Sequence, residues 1–218
     1  MTENTVLQTR RCWQDAVEQA SRLGLPLHQD LPKNWDSLIA LNAILQRTTA
    51  SARVLDAGAE TYSVILPWLA LHDYRQLIGI NLAFAEPVYK EPILYEYGDL
   101  TQTKYESNSF DAIACLSVIE HGVDIHHYFR EMSRLLKPGG VLVTSTDYYD
   151  EPIDTENKIA FGVPLRIFSR SDMQDILSTA AQFDFELTSP LELNCQEKAI
   201  TWQALSYTFV VFTVQKKI

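Results

Sequence analysis

The chain has 218 residues and a formal net charge of -10, and 46% of its residues are hydrophobic. Length and apolar fraction together predict a globular domain with a sizeable core and exclude a disordered chain. The acidic balance, with no long Lys/Arg run to offset it, argues against nucleic acid as a partner.

The chain begins with a segment of helical periodicity over residues 6–23, where Val6, Leu7, Trp13, Ala16, Val17 and Ala20 recur on one face. "GLPLHQDLPKNW" breaks it with Gly24, Pro26 and Pro32. Asp36 is then placed to cap a second helix, "SLIALNAILQR". These two helices, residues 1–50, form an N-terminal extension packed on a core of residues 51–218, the whole being one domain.

From Ala52 strands and helices alternate. "RVLDAG" reads as a short strand and "YSVILPWLALH" as a helix with a weak point at Pro67. "QLIGIN", "ILYEYGD" and "FDAIACLS" read as strands. The helix "DIHHYFREMSRLL" ends in "KPGG", and "VLVTST" is a fifth strand. A long polar and aromatic loop over 147–168 leads to a helix, "SRSDMQDILSTAAQF", capped by Ser169 or Ser171. "DFELTS" and "YTFVVFTVQ" close the sequence as strands, the final pair antiparallel. Five β–α repeats predict a mostly parallel sheet covered on both faces.

Cys12, Cys115 and Cys195 are odd in number and far apart, which offers neither a disulfide framework nor a metal knuckle. A reducing cytoplasm is the expected location. The N-terminal stretch lacks the apolar core of a signal peptide, and the longest apolar run, "VILPWLAL", is short and broken by proline. Neither secretion nor a membrane partner is expected.

In such a sheet ligands bind beyond the carboxyl ends of the strands, where strand order reverses. "VLDAGAETYS" supplies the first of these ends. Gly58 permits a sharp turn and close approach of a ligand. The dinucleotide fingerprint would need glycines where Glu60 and Ser63 stand, which argues against NAD or FAD.

"EYGDL", "NSFDAIACLSVIEHG" and "EMSRLLKPGGVLVTSTDYY" carry a more specific signal. Over residues 53–146 they resemble class I S-adenosylmethionine-dependent methyltransferases. The resemblance implies a Rossmann-like sheet of seven strands, mostly parallel with an antiparallel last strand, and S-adenosylmethionine as cofactor with S-adenosylhomocysteine as product. It implies an O or N atom of a small molecule as acceptor. Asp56 would close the first strand, and Ala57 and Gly58 would pass beneath the methionine moiety. Asn81, where the family most often has Asp or Glu, would meet the ribose, or else cap the helix after it. Asp99 with Leu100 would line the adenine, unless Asp99 is only a turn residue. Cys115, Leu116 and Ser117 would face the sulfonium, although Cys115 also suits a small core position.

His121 in "SVIEHG" is a candidate general base or a structural histidine at a helix entry. Some relatives bind a divalent metal with Glu-x-x-Glu-His, but here the first carboxylate is Ser117. No metal is therefore expected. Tyr148 is a candidate for the acceptor side. Glu60 carries the remaining question. A carboxylate about 5 Å from the cofactor's own would cost on the order of 3 kcal/mol at an effective dielectric near 20, and a left-handed backbone there roughly 1–2 kcal/mol more. The expectation is weakened binding that Glu60→Gly tightens. A degenerate, non-catalytic binding module is the alternative reading.

Overall fold

The computed structural model describes residues 3–218. Its elements in chain order are β1 (Thr5–Val6), α1 (Arg10–Arg22), α2 (Lys33–Arg47), β2 (Arg53–Ala57), α3 (Ile65–Leu71) and β3 (Gln76–Asn81). Next come β4 (Val88–Lys90), β5 (Ile93–Tyr97), β6 (Phe110–Leu116), α4 (Ile125–Leu135) and β7 (Leu136–Tyr148). The chain closes with β8 (Ile159–Ala160), β9 (Val163–Pro164), α5 (Arg170–Gln182), β10 (Phe185–Leu187), β11 (Ile200–Trp202) and β12 (Leu205–Lys216).

The main sheet runs β1-β12-β7-β6-β2-β3-β5-β4, with β10 and β11 also paired to β12. The β5-β3-β2-β6-β7 run is parallel throughout, and β12 joins β7 antiparallel over eight register pairs from Thr208–Tyr148 to Gln215–Val141. This is the expected Rossmann-like sheet with helices on both faces, but with ten strands among the described residues in place of the seven expected, because the short β1, β4, β10 and β11 pair onto its edges. One face packs on α2 and α3 through Leu38, Ile44, Ile65 and Trp68. The other packs on α4 and α5 through Tyr128, Phe129, Met173 and Ile176. Strand order reverses at β2, which lies between β3 and β6.

Local chemistry explains the departures from the sequence reading. Val6 and Leu7 do not belong to the first helix. Val6 pairs across to Val210 and both residues are buried against β12, so sheet pairing overrides helical periodicity. Asp36 does not cap α2. Pro32 is the N-cap with no side-chain bond, and Asp36 lies inside the first turn, fully buried. Pro67 is the third residue of α3, in the turn whose N–H groups are free anyway, so it leaves the helix intact.

The five β–α repeats are not all formed among the described residues: along the parallel strands helices directly follow β2 and β6, and α5 comes after β7 by way of β8 and β9. Between β3 and β5 the chain carries Pro87 and Pro92 and forms the exposed edge strand β4 instead. "KPGG" does not end α4 in a glycine cap. Leu136 already has extended geometry, and the segment runs into β7 with Gly139 at φ +78. Ser169 caps α5 in a reciprocal box with Asp172.

Candidate cofactor and acceptor site

The site grows from the end of β2. Gly58 adopts φ +97, a left-handed conformation, and a Cβ there would lie 2.4 Å from Cγ2 of Val118. The Gly58 and Ala59 amides both donate to the Ile80 carbonyl at 2.9 Å, which folds the loop over the end of β3. Glu60 is absent from the residues with positive φ, so the feared backbone strain is not incurred. Its amide donates to Ser63 Oγ at 3.0 Å.

Asp56 is 3% exposed, and its Oδ2 has no protein partner. Burial pushes its carboxyl up to about 7. Ala57 is fully buried on the opposite face. Asn81 ties the loop together: Nδ2 donates to the Ala59 carbonyl at 3.0 Å and lies 3.4 Å from Glu60 Oε1. Its Oδ1 accepts from the Ala83 amide at 2.9 Å, in a turn and not at a helix start. Asp99 Oδ1 accepts from the Thr101 amide at 2.8 Å and hydroxyl at 2.6 Å, and Leu100 is half-buried beside it. Asn81 thus ends β3, and Asp99 and Leu100 follow its neighbour β5, both at carboxyl ends.

After β6 the three candidates diverge. Cys115 is fully buried, and burial drives its thiol well above the usual range, so its side chain is a core group. Leu116 is half-buried on the α2 face. Ser117 has φ 56, its amide donates to the Ser145 carbonyl at 3.0 Å, and its hydroxyl accepts from the Lys33 ammonium.

Lys33, from the first turn of α2, organises this side. Its Nζ lies 3.9 Å from the centroid of the Phe209 ring, and its charge acts on Asp36, Glu120 and Asp147. All three carboxylates are buried, and burial raises all three. Ser145 Oγ donates to Asp36 at 2.7 Å, and Thr146 Oγ1 donates to Glu120 at 2.9 Å. Glu120 and Asp147 also oppose one another's ionisation.

His121 stands at the rim, its ring edge-on to Phe161 at 5.1 Å. Burial, then Lys33, lowers it to about 4, so the ring is neutral at pH 7. Tyr148 is placed elsewhere. It is 0% exposed, and its hydroxyl donates to the Leu193 carbonyl at 2.9 Å. That is a packed core residue and not a group reaching an acceptor. Lys33, Asp36 and Asp147 escaped the sequence reading because the segments that carry them meet only in space. The polar Asn34, Asp36 and Ser37 inside a buried helix were the one available signal.

Residues 55–144 match the family model described as a methyltransferase domain. This segment belongs to the methyltransferase domain family. A sterol 24-C-methyltransferase of Aspergillus fumigatus is 32% identical over 111 residues, 48% of this chain and 29% of that protein. The chain therefore spans about a third of the length of the curated relatives it matches. An S-adenosylmethionine-dependent methyltransferase from Mesorhizobium loti has a TM-score of 0.62 at 21% identity, covering 84% of this chain and 98% of that one. A 1,6-didemethyltoxoflavin-N1-methyltransferase of Burkholderia thailandensis, solved with its acceptor and S-adenosylhomocysteine, has a TM-score of 0.64 at 18% identity over 96% and 87% of the two chains.

The Burkholderia enzyme holds S-adenosylhomocysteine, and the residues here fit a cofactor of that kind. A glycine that must stay bare and a buried carboxylate with one unpartnered oxygen face the place where strand order reverses. No helix among the described residues is long and apolar enough to cross a membrane.

Proposed function

We propose that this methyltransferase domain binds S-adenosylmethionine at the loop after β2 and transfers its methyl group to a small molecule held between Ser117, His121 and α2. The observation that carries the reading is the pairing of left-handed Gly58 with the orphaned carboxylate of Asp56. Asp56, Ala57, Gly58, Asn81, Asp99, Leu100, Leu116 and Ser117 would hold the cofactor, Cys115 contributing backbone only. The bound cofactor supplies an electrophilic methyl on a good, neutral leaving group.

The chain's own residues then position the acceptor in line, which can supply most of the acceleration. An O or N acceptor that must shed a proton has His121 at the rim, while the adjoining Glu120 and its partner Asp147 are buried. His121, held near 4, is a weak base. The carboxyl pair, with its ionisation pushed upward, is better matched to neutral pH. The fungal relatives are named as C-methyltransferases, so carbon joins oxygen and nitrogen among the acceptor atoms to be screened.

Calorimetric titration of the folded protein with S-adenosylmethionine tests the reading. Saturable heat is expected, and its absence at millimolar cofactor would favour a non-catalytic binding module instead. Radiolabelled methyl transfer to panels of alcohols, amines and isoprenoid alkenes then ranks acceptors. Tyr62 counts against the non-catalytic alternative, because it is 47% exposed and packs edge-on to His28 at 5.7 Å instead of filling the loop.

The same titration grades Glu60. With no left-handed strain to relieve, only its charge remains. For a half-exposed carboxylate about 5 Å from the cofactor's own, that is about 1 kcal/mol in water-like surroundings. Glu60→Gln is expected to tighten S-adenosylmethionine binding about fivefold; looser binding would assign the carboxylate to the cofactor's ammonium.

A further inference from the structure

Three strands place Asp56, Gly79 and Tyr95 in one row. Asp56 of β2 is in register with Gly79 of β3, and Gly79 with Tyr95 of β5. Side chains in such a row share a face of the sheet. Gly79 contributes none. A Cβ there would fall 2.7 Å from Cδ1 of Tyr95 and 2.8 Å from the Ala59 Cβ. The Tyr95 ring therefore lies flat across Gly79, reaching toward β2 and the underside of the first loop. Phe84 backs the ring at 5.8 Å between centroids.

Tyr95 is 0% exposed and Asp56 3%, and the Tyr95 hydroxyl and Asp56 Oδ2 are both buried side-chain atoms without a protein partner. Buried polar atoms of this kind are rare and call for an explanation. Here two of them occupy one row, below the loop that the cofactor would cover. The Asp56 charge is also among the causes that raise the Tyr95 phenol, which places the two groups within each other's field.

We infer that Tyr95 is a positioning residue for the cofactor, its hydroxyl donating to Asp56 across Gly79 through one bridging water, and so favouring the ionised carboxylate that a cationic methyl donor selects. This rests on the cofactor reading above. S-adenosylmethionine carries a sulfonium and an ammonium, so a negative Asp56 attracts it and a neutral one does not. Binding then draws a proton off Asp56 into the buffer.

The other groups around Asp56 are few. β3 offers Gly79, β6 offers Ala114 and, on the opposite face, the Cys115 thiol. α3 has no titratable side chain. Asp36 of α2 is engaged by Ser145. In the loop, Glu60 turns to Asn81, and Lys90 donates to the Thr61 carbonyl at 2.8 Å, 5.8 Å from the Tyr95 ring centroid.

The test is calorimetric affinity for S-adenosylmethionine from pH 5 to 9, in buffers of different ionisation enthalpy. In the natural protein, affinity should climb with pH and level off below the value of about 7 that burial alone sets, with a proton released below that break. Tyr95→Phe should move the break up by about one pH unit, to the value of about 7 set by burial, since a hydrogen bond to the charged form is lost. At the natural protein's break this weakens binding about fivefold, and the loss should vanish by pH 9. Asp56→Asn should flatten the profile. A structural role alone would lower the melting temperature of Tyr95→Phe and leave the break in place; that result overturns the inference, as does a flat profile in the natural protein. Absence of donor binding at every pH would overturn the cofactor reading itself, and this pair with it.

Discussion

Gly58→Ala is expected to weaken S-adenosylmethionine binding by about a hundredfold. Two costs add at this position. Gly58 sits at φ +97, where an L side chain meets its own backbone, worth roughly 1–2 kcal/mol. The new methyl would also lie 2.4 and 2.7 Å from the two methyls of Val118, and overpacking of this kind costs about 1–3 kcal/mol. Val118 follows Ser117 directly, so relief of the clash must move the β2 loop, the β6 loop or both. A total near 3 kcal/mol corresponds to about a hundredfold in affinity if the strain falls on the bound loop. Gly122→Ala is the control. It shares a left-handed φ of +76 but has no atom within 4 Å of an added Cβ, so it should show backbone strain without the loop displacement. Calorimetry on both variants, and on Gly58→Ala with Val118→Ala, checks this. Binding by Gly58→Ala within threefold of the natural protein would mean that the cofactor does not use this loop.

Lys33→Met should produce the largest pH-dependent loss of stability, about 3 kcal/mol at pH 8 and much less at pH 4. Lys33 is the ammonium that lowers the otherwise raised Asp36, Glu120 and Asp147. Methionine keeps the stem against Phe209 and removes the charge together with its hydrogen bond to the Ser117 hydroxyl. Without it the folded-state carboxyls rise further above their unfolded values. A carboxyl raised on folding contributes stability at low pH that is lost as pH climbs toward its folded value. The variant should therefore fall away from the natural protein between pH 4 and 8. Below that window all three groups are protonated in both proteins and the curves should converge. Urea denaturation at pH 4, 6 and 8 measures it, and a loss constant with pH would show that Lys33 acts by packing alone.

The core strands were legible because a parallel sheet buried on both faces writes itself as apolar runs, and "RVLDAG", "QLIGIN" and "FDAIACLS" are such runs. The loop glycine and the residues at strand ends followed from that frame. Pairing partners were not legible. Val6 and Leu7 satisfy a helical period as well as a two-residue strand, and only β12, about two hundred positions away, decides between them. The missing helix between β3 and β5 was written more plainly, in Pro87 and Pro92, but the expectation of repeating β–α units outweighed it. Tyr148 read as an acceptor-side residue because its loop lies at the right end of the sheet; its burial depends on Leu193, from a segment beyond α5. Lys33 carries no local mark of its role.

The Lys33–Phe209 stacking also has a temporal meaning. The ammonium that balances the acceptor side is synthesised well before the ring beneath it, which belongs to β12. Until β12 emerges, Lys33 lacks that platform and β7 presents an open edge, the kind of surface that invites pairing with other chains. Assembly of the acceptor side is thus gated by synthesis of β12, and nascent chains stalled before β12 should be the species that chaperones hold.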